Sequence, residues 1–228
     1  MSAGVMTETT RLPVRERDIL SKYAGETVLA VGAHPDDLEL GVGGTLARLS
    51  RSGVRVVMAV LSIPNNLQAR RIEARRAAET LGCEVRLLSP NRCSRVEDFK
   101  THQLVGMIDG LVNELKPAAM FSHCLANLHL DHKLAYDACM ASQRLRYFDI
   151  FCYSPTSCHA VNIAFQPHIY IDISNTIEAK MRAIRIHWTQ FERRGLKTEH
   201  YRDASSQTGR AVGVEYAEGL EVIRMRLN

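Results

Sequence analysis

A histidine and two aspartates follow directly on an apolar segment near the start of this chain. The apolar segment covers residues 28–32, and His34, Asp36 and Asp37 come immediately after it. One imidazole and one carboxylate can bind a divalent metal, which leaves the second carboxylate free to act on a water molecule at that metal. The alternative is a turn at Pro35 followed by an aspartate that caps the next helix. The residue types favour the metal-site interpretation.

A second polar cluster follows another short apolar segment, residues 118–122. Three histidines and one aspartate occur there within ten positions: His123, His129, Asp131 and His132. Polar residues at the carboxyl ends of parallel strands point into a crevice at the edge of the sheet. If the two loops are neighbours in the fold, His34, Asp37 and His132 supply two imidazoles and one carboxylate, which is an arrangement that catalytic zinc uses.

The segments around these clusters alternate between predicted strands and predicted helices. Strands are expected at residues 27–33, 54–62, 83–88, 118–122, 150–153 and 168–173. Helices are expected at residues 41–52, 69–81, 100–115, 132–146, 176–189 and 197–213. This alternation predicts an α/β fold: a doubly wound, mostly parallel, Rossmann-like sheet with helices on both faces, in a single domain. Residues 1–17 are expected to form a polar N-terminal arm and residues 18–228 the domain itself.

The composition narrows the class of protein. With 228 residues, 46% hydrophobic and 24% charged, the chain suits one globular domain. The net charge of +4 comes from dispersed basic residues, which gives no support for nucleic-acid binding. No apolar run approaches the length of a membrane span or a signal-peptide core. Six cysteines without a CxxC pair are expected to be reduced thiols, so we predict a cytoplasmic protein without nucleic-acid or membrane partners. A homo-oligomer is compatible with the sequence.

Motifs along most of the chain match the pattern of one known family. The first is Ala33-His34-Pro35-Asp36-Asp37 with Gly41 and Gly43-Gly44-Thr45-Leu46-Ala47 after it, and the second is His129-Leu130-Asp131-His132. A helix motif at residues 70–82 and tail segments at residues 170–174, 187–190 and 214–219 extend the match. Together these motifs resemble the PIG-L/LmbE-like family of zinc-dependent de-N-acetylases.

The resemblance implies a role for each residue of the two clusters. His34, Asp37 and His132 would bind one zinc ion, or another divalent metal, and Asp36 would be the general base. His129 would help at the carbonyl or at the leaving group. The substrate would be a small N-acylated molecule, and residues 18–228 would form an LmbE-like deacetylase domain.

Several side chains near the clusters have two interpretations. His129 is expected to be protonated when negative charge develops on the substrate, with Asp131 behind it to favour the charged form. The alternative for Asp131 is a charge at the start of a helix. Arg70 is expected to bind substrate, and its alternative is a solvated side chain paired with Glu73. The remaining histidines are expected to be structural, with the role of His187 depending on whether the tail folds back over the site.

The predicted function is hydrolysis of an N-acyl group, chiefly N-acetyl, from an amino sugar or a sugar-containing conjugate. One alternative is an amidase that acts on a thiol conjugate or a natural-product intermediate. A second alternative is a non-catalytic nucleotide-binding domain. The glycines at residues 41–44 lack the G-x-G-x-x-G spacing of a dinucleotide site, and Asp36 is present with all the expected ligands, which argues against the second alternative.

Overall fold

The structure is a computed structural model that describes residues 18–155 and 165–227. The predicted N-terminal arm at residues 1–17 lies outside the described residues, as do Cys158 and His159. Within the described part, no helix combines the length and the apolar character needed to cross a bilayer. The cytoplasmic location stays a prediction from the sequence.

A single mixed sheet organises the described residues. Its strands are β1 (Thr27–Gly32), β2 (Arg55–Val60), β3 (Glu84–Leu87), β4 (Ala119–His123), β5 (Asp149–Tyr153), β6 (Ile169–Asp172) and β7 (Ala217–Arg224). The spatial order is β3-β2-β1-β4-β5-β7-β6. Strands β1 to β5 pair in parallel, whereas β7 runs antiparallel to both β5 and β6. The predicted α/β class and mostly parallel sheet are confirmed.

Helices cover both faces of this sheet. They are α1 (Asp37–Arg51), α2 (Leu67–Leu81), α3 (Thr101–Leu115), α4 (Leu130–Ser142), α5 (Ile177–Ile186) and α6 (Glu199–Val212). Apolar side chains of α1, α2 and α5 pack in one core with one face of the central strands. Side chains of α3 and α4 pack in a second core on the other face. The apolar runs of β1 and β4 follow from this burial on both sides.

Strand β1 lies between β2 and β4, and this position places the two polar clusters together. The chain leaves β1 into α1 on one face of the sheet and leaves β4 into α4 on the other face. The two connections therefore diverge and open a crevice at the carboxyl ends of β1 and β4. Ligands of doubly wound proteins bind at such a topological switch point.

The predicted start of the first helix is wrong by four residues. Helix α1 begins at Asp37, not at Gly41, and its first turn carries Asp37 and Glu39, whose negative charges favour a helix N-terminus. Its glycines permit close packing instead of breaking the helix. A Cβ atom on Gly41 would lie 2.3 Å from a ring carbon of Tyr153, and one on Gly44 would lie 2.7 Å from Ile173 Cδ1.

Two further differences concern α4 and the last strand. Helix α4 begins at Leu130, earlier than the expected His132, because His129 accepts a hydrogen bond from the Asp131 backbone and caps the helix. It ends at Ser142, before the expected Arg146. Strand β7 was not predicted. It lies between β5 and β6 in the sheet, and it places the C-terminal part of the chain beside α1.

Candidate metal centre and active site

Three side chains from the two loops converge at the switch point. One ligand atom from each of His34, Asp37 and His132 lies within 4.8 Å of the others. His132 Nε2 is 3.3 Å from Asp37 Oδ1, and His34 Nδ1 is 3.7 Å from Asp37 Oδ2. Two imidazole nitrogens and one carboxylate suit zinc and other borderline divalent ions. The structure thus brings together the three residues that the sequence predicted as ligands.

Asp37 is held as a carboxylate by its surroundings. It is in the first turn of α1, and its Oδ2 accepts a hydrogen bond of 2.8 Å from the backbone N–H of His34. Burial alone would raise its pKa, but the neighbouring His132 and His123 outweigh this effect and bring the pKa well below its usual range. An ionised Asp37 is the form that a metal ligand requires.

Asp131 supports His34, which differs from the predicted arrangement. Its Oδ2 lies 2.8 Å from His34 Nε2, and its two oxygens also accept backbone hydrogen bonds from Val96 and Glu97. Burial raises the pKa of Asp131, but the hydrogen bonds from His34 and the two amides lower it to about 2. The prediction that this carboxylate stands behind His129 is wrong. It fixes the His34 ring so that Nδ1 faces Asp37.

His129 occupies the N-cap position of α4. Its Nδ1 accepts the Asp131 backbone N–H at 3.2 Å, which leaves Nε2 to carry the proton of the neutral ring. The ring stacks on that of His132, with 4.6 Å between the centroids. Burial lowers the pKa of His129, and the nearby His132 and His34 lower it further. Burial together with the two neighbouring imidazoles outweighs Asp131, and this direction works against the predicted protonated form.

Asp36 has a strained backbone, and its carboxylate is not used to cap the helix that follows. Its φ angle is 104°, a left-handed value that is uncommon for residues other than glycine. It stands at the N-cap position of α1, but its side chain makes no capping hydrogen bond, which contradicts the capping alternative. Burial raises the pKa of Asp36 to about 6, with Asp37 adding to the rise and Arg70 opposing it.

Arg70 holds the turn that carries Asp36. The side chain is buried, its Nη2 donates a hydrogen bond of 2.7 Å to the Pro35 carbonyl, and Nη2 lies 3.5 Å from Asp36 Oδ1. Glu73 instead accepts hydrogen bonds from the backbone and hydroxyl of Thr189. The alternative of a solvated Arg70 paired with Glu73 is therefore wrong.

The C-terminal part of the chain does fold back onto the site. His187 ends α5, and its Nε2 lies 3.0 Å from Glu39 Oε1 on α1, with both side chains buried. Neither this pair nor the Glu73–Thr189 contact was predicted from the sequence. Their signal in the sequence is weak, since each acidic residue is a single charge on a helix face. These contacts place Gln190 at the wall of the cleft.

His123 is a buried side chain that contacts the backbone and does not line the cleft. It is fully buried beneath the three converging residues, and its Nε2 accepts the Ala33 backbone N–H at 3.1 Å. The same nitrogen lies 3.3 Å from Asp37 Oδ2. Burial, followed by the neighbouring His132, lowers the pKa of His123 to about 4.

A cleft of about 1050 Å³ lies over the converging side chains. Asp36, Arg70 and His129 line it together with the three candidate ligands. Asn65, Arg95, Asn127 and Gln190 add polar groups to the wall near these residues. From there the cleft continues toward α6 and β6.

The fold and the site together define a Rossmann-like protein with a candidate metal centre and a further carboxylate beside it at the switch point. The chain belongs to the PIG-L family: the family model, described as GlcNAc-PI de-N-acetylase, matches residues 29–142. This range contains the three converging residues as well as Asp36, Arg70, His129 and Asp131. The protein is accordingly a member of a deacetylase family.

Comparisons with individual proteins agree with this assignment. The diacetylchitobiose deacetylase of Thermococcus kodakarensis is 28% identical over 223 residues, covering 86% of this chain and 82% of the relative. The conserved protein TT1542 from Thermus thermophilus matches with a TM-score of 0.75 and 24% identity, over 89% of this chain and 97% of that chain.

A second similar structure belongs to a protein with a different activity. It is GalB, the 4-carboxy-2-hydroxymuconate hydratase of Pseudomonas putida KT2440. Its TM-score is 0.70 at 20% identity, over 89% of this chain and 98% of that chain. The fold therefore does not determine the reaction, which has to be argued from the site.

Proposed function

We propose that this protein is a metal-dependent hydrolase that removes the N-acetyl group from an amino sugar or a sugar-containing conjugate. The observation that carries the proposal is the convergence of His34, Asp37 and His132 beside the carboxylate of Asp36, which is not one of the three candidate ligands. Membership of a de-N-acetylase family and similarity to a diacetylchitobiose deacetylase support the substrate class.

The three converging residues are the proposed ligands of one divalent ion, with zinc as the first candidate. Such an ion would lower the pKa of a water molecule and polarise the substrate carbonyl. Among the three proposed ligands, Asp37 is the one that carries a negative charge. His34 is kept in one orientation by Asp131. An anchored carboxylate of this kind fixes the tautomer of a ligating imidazole and raises its basicity.

Asp36 is the proposed general base. Its carboxylate takes a proton from the attacking water as the new C–O bond forms, and returns a proton to the nitrogen as the C–N bond breaks. The products are a free amine and acetate, so the reaction needs no further reactant. A pKa raised to about 6 suits a group that must accept and release a proton near neutral pH.

His129 and Arg70 complete the proposed site. The neutral His129 ring can donate from Nε2 to the oxygen that becomes negative in the tetrahedral intermediate, because Nδ1 is occupied by the backbone. Arg70 keeps the Asp36 carboxylate in place and lines the cleft, where we propose that it also contacts the substrate.

A reconstitution experiment tests this function. The purified protein is stripped with a chelator and reloaded separately with zinc, cobalt, iron(II), manganese and nickel. We expect one ion per chain and metal-dependent release of amine from N-acetylglucosamine or diacetylchitobiose. Metal-dependent cleavage of N-acyl thiol conjugates without any release from N-acetyl amino sugars would favour the alternative amidase. Protein that binds none of these ions would contradict the proposal.

A further inference from the structure

A second, smaller pocket adjoins the cleft beside the start of α2. It has a volume of about 340 Å³. We call it the side pocket, and its walls are all polar residues: Asn65, Asn66, Thr189, Gln190, Arg193 and Arg194. Three of them, Asn65, Gln190 and Arg194, line the cleft as well. The cleft and the side pocket therefore meet at these three side chains.

The side pocket is positively charged. Arg193 and Arg194 are exposed, and no acidic residue of the described chain lines the pocket with them. Arg193 Nη1 donates a hydrogen bond of 3.4 Å to the neutral amide oxygen of Asn66, and neither arginine forms an ion pair with a described residue. A guanidinium presents its N–H donors in a planar fork that matches a carboxylate. The two arginines thus suit a small carboxylate anion.

Helix α2 connects the side pocket with Asp36. Asn66 stands just before this helix, and its carbonyl accepts a hydrogen bond of 3.0 Å from the Arg70 backbone. The two residues are therefore separated by one helical turn, which rises about 5.4 Å. The Arg70 side chain reaches in turn to Asp36, with 3.5 Å between Nη2 and Oδ1. The side pocket accordingly begins one turn of α2 away from the arginine that holds the proposed base.

Arg70 has a buried donor that is not used by the protein. Its Nε has no hydrogen-bond partner among the described residues, although the side chain is only 3% exposed. A buried donor without an acceptor is costly, so an oxygen atom of a ligand beside Arg70 would be stabilised. Together with Arg194 and Arg193, it forms a series of positive charges from the buried turn of Asp36 to the protein surface.

We propose that the side pocket binds the acetate released by the reaction and leads it to solvent. This inference rests on the proposed function. Hydrolysis joins the oxygen of water to the acyl carbon and breaks the C–N bond, so acetate leaves as an anion while the proton passes through Asp36 to the amine. The amine stays on the sugar in the cleft. A separate basic opening lets acetate depart while the sugar still occupies the cleft.

Acetate binding to the metal-free protein tests the site itself. Chelated protein is titrated with isotope-labelled acetate in chloride-free buffer at constant ionic strength, and NMR relaxation measures the dissociation constant. We expect Arg193→Gln/Arg194→Gln to bind acetate about tenfold or more weakly than the wild type, because two charged donors are lost. Arg75→Gln/Arg76→Gln is the matched control. It removes the same charge from an exposed part of α2 outside both pockets and should leave acetate binding unchanged.

Inhibition kinetics of the metal-loaded enzyme test the route. Acetate in the side pocket can be present together with N-acetylglucosamine, so part of its inhibition should lower kcat and persist at saturating substrate. Acetate at the metal would instead compete with the substrate. Arg193→Gln/Arg194→Gln should lose the persistent part of the inhibition, whereas the control variant should keep it.

A carboxylate on the substrate itself would use the same chemistry, and N-acetylmuramic acid distinguishes the two sources. A preference for this acid over N-acetylglucosamine that disappears in Arg193→Gln/Arg194→Gln would overturn the acetate assignment in favour of a substrate site. Equal acetate affinity in wild type and double variant, or inhibition that substrate fully relieves, would also overturn it. If no N-acetyl substrate is hydrolysed but acetate binding depends on the two arginines, the proposed function fails and the carboxylate site holds.

Discussion

Asp36 and Asp37 are neighbours in sequence with very different surroundings. Asp37 lies beside three imidazoles and stays ionised, whereas Asp36 is half-buried next to it with a raised pKa. We predict that Asp36→Asn keeps its metal and loses about 10²–10⁴-fold in kcat, the usual contribution of a general base. Metal content by mass spectrometry and steady-state kinetics measure the two effects.

Asp37→Asn is the matched control for this prediction. Removing its charge should release the metal, because the other two proposed ligands are imidazoles and bring no negative charge to the ion. If both asparagine variants lost metal to the same extent, the division between base and ligand would be misassigned.

A second prediction concerns the carboxylate behind His34. Asp131→Asn should weaken metal affinity by about 10–100-fold, the usual effect of losing a carboxylate that orients a ligating histidine. Competition with a chromophoric chelator measures this affinity. His129→Gln should leave it nearly unchanged while lowering kcat. Weaker metal binding in His129→Gln than in Asp131→Asn would contradict the arrangement.

At the residue scale, motif spacing predicted which side chains meet but not how they pair. His34, Asp37 and His132 lie together as expected, because the carboxyl ends of adjacent parallel strands share one edge. The partner of Asp131 was predicted incorrectly. Its orientation depends on backbone amides at Val96 and Glu97, which no local pattern connects to it.

At the element scale, the glycines of α1 set how closely the helix packs. A Cβ atom on Gly44 would lie within 2.9 Å of three Ile173 side-chain atoms. We predict that Gly44→Ala destabilises the protein by about 1–3 kcal/mol, a typical cost of overpacking. Urea unfolding measures the change.

Gly106→Ala in α3 is the matched control. A Cβ atom there meets nothing within 4 Å. This variant should be neutral or more stable by about 0.4–1 kcal/mol, since alanine restricts the unfolded chain. Equal effects at both positions would show that close packing is not the reason for Gly44.

The periodicity of apolar residues predicted whether a segment is a helix or a strand. The residues at which each helix or strand begins and ends depend on tertiary contacts. The first helix was predicted at residues 41–52 but begins at Asp37, and its glycines are accommodated by close packing against Tyr153 and Ile173. Strand β7 was missed because its second residue is Glu218. That charge is buried only because Lys180 and two amides of α1 satisfy it.

At the scale of the whole molecule, the C-terminal part of the chain completes the site built by the N-terminal part. Glu39 and Glu73 on the first two helices accept hydrogen bonds from residues 187–189. Gln190 follows Thr189 directly and lines the cleft. Contacts across more than a hundred residues leave no periodic signal, so the sequence predicted the strands and helices but not this closure.

Asp149 ties both ends of the described chain to β5. Its carboxylate accepts hydrogen bonds from Lys22, the Tyr23 hydroxyl, the Tyr147 hydroxyl and the backbone of Arg226. Burial would raise the pKa of Asp149. The hydrogen bonds from Lys22, Tyr23, the Arg226 backbone and Tyr147 outweigh burial and lower this pKa. A carboxyl with a lowered pKa in the folded state stabilises the protein in its ionised form.

We predict that Asp149→Asn lowers the unfolding free energy by about 2–3 kcal/mol at pH 7, the range for hydrogen bonds to a charged group. The stabilisation is fully present above the unfolded pKa of about 3.9, and it is lost as the pH falls through the lower folded pKa. The difference between wild type and variant should therefore shrink below about pH 4 in urea titrations. Glu84→Gln, at an exposed ion pair with Arg55, should cost no more than about 1 kcal/mol. A wild-type advantage that is the same at pH 7 and pH 3 would show that shape, and not charge, explains the role of Asp149.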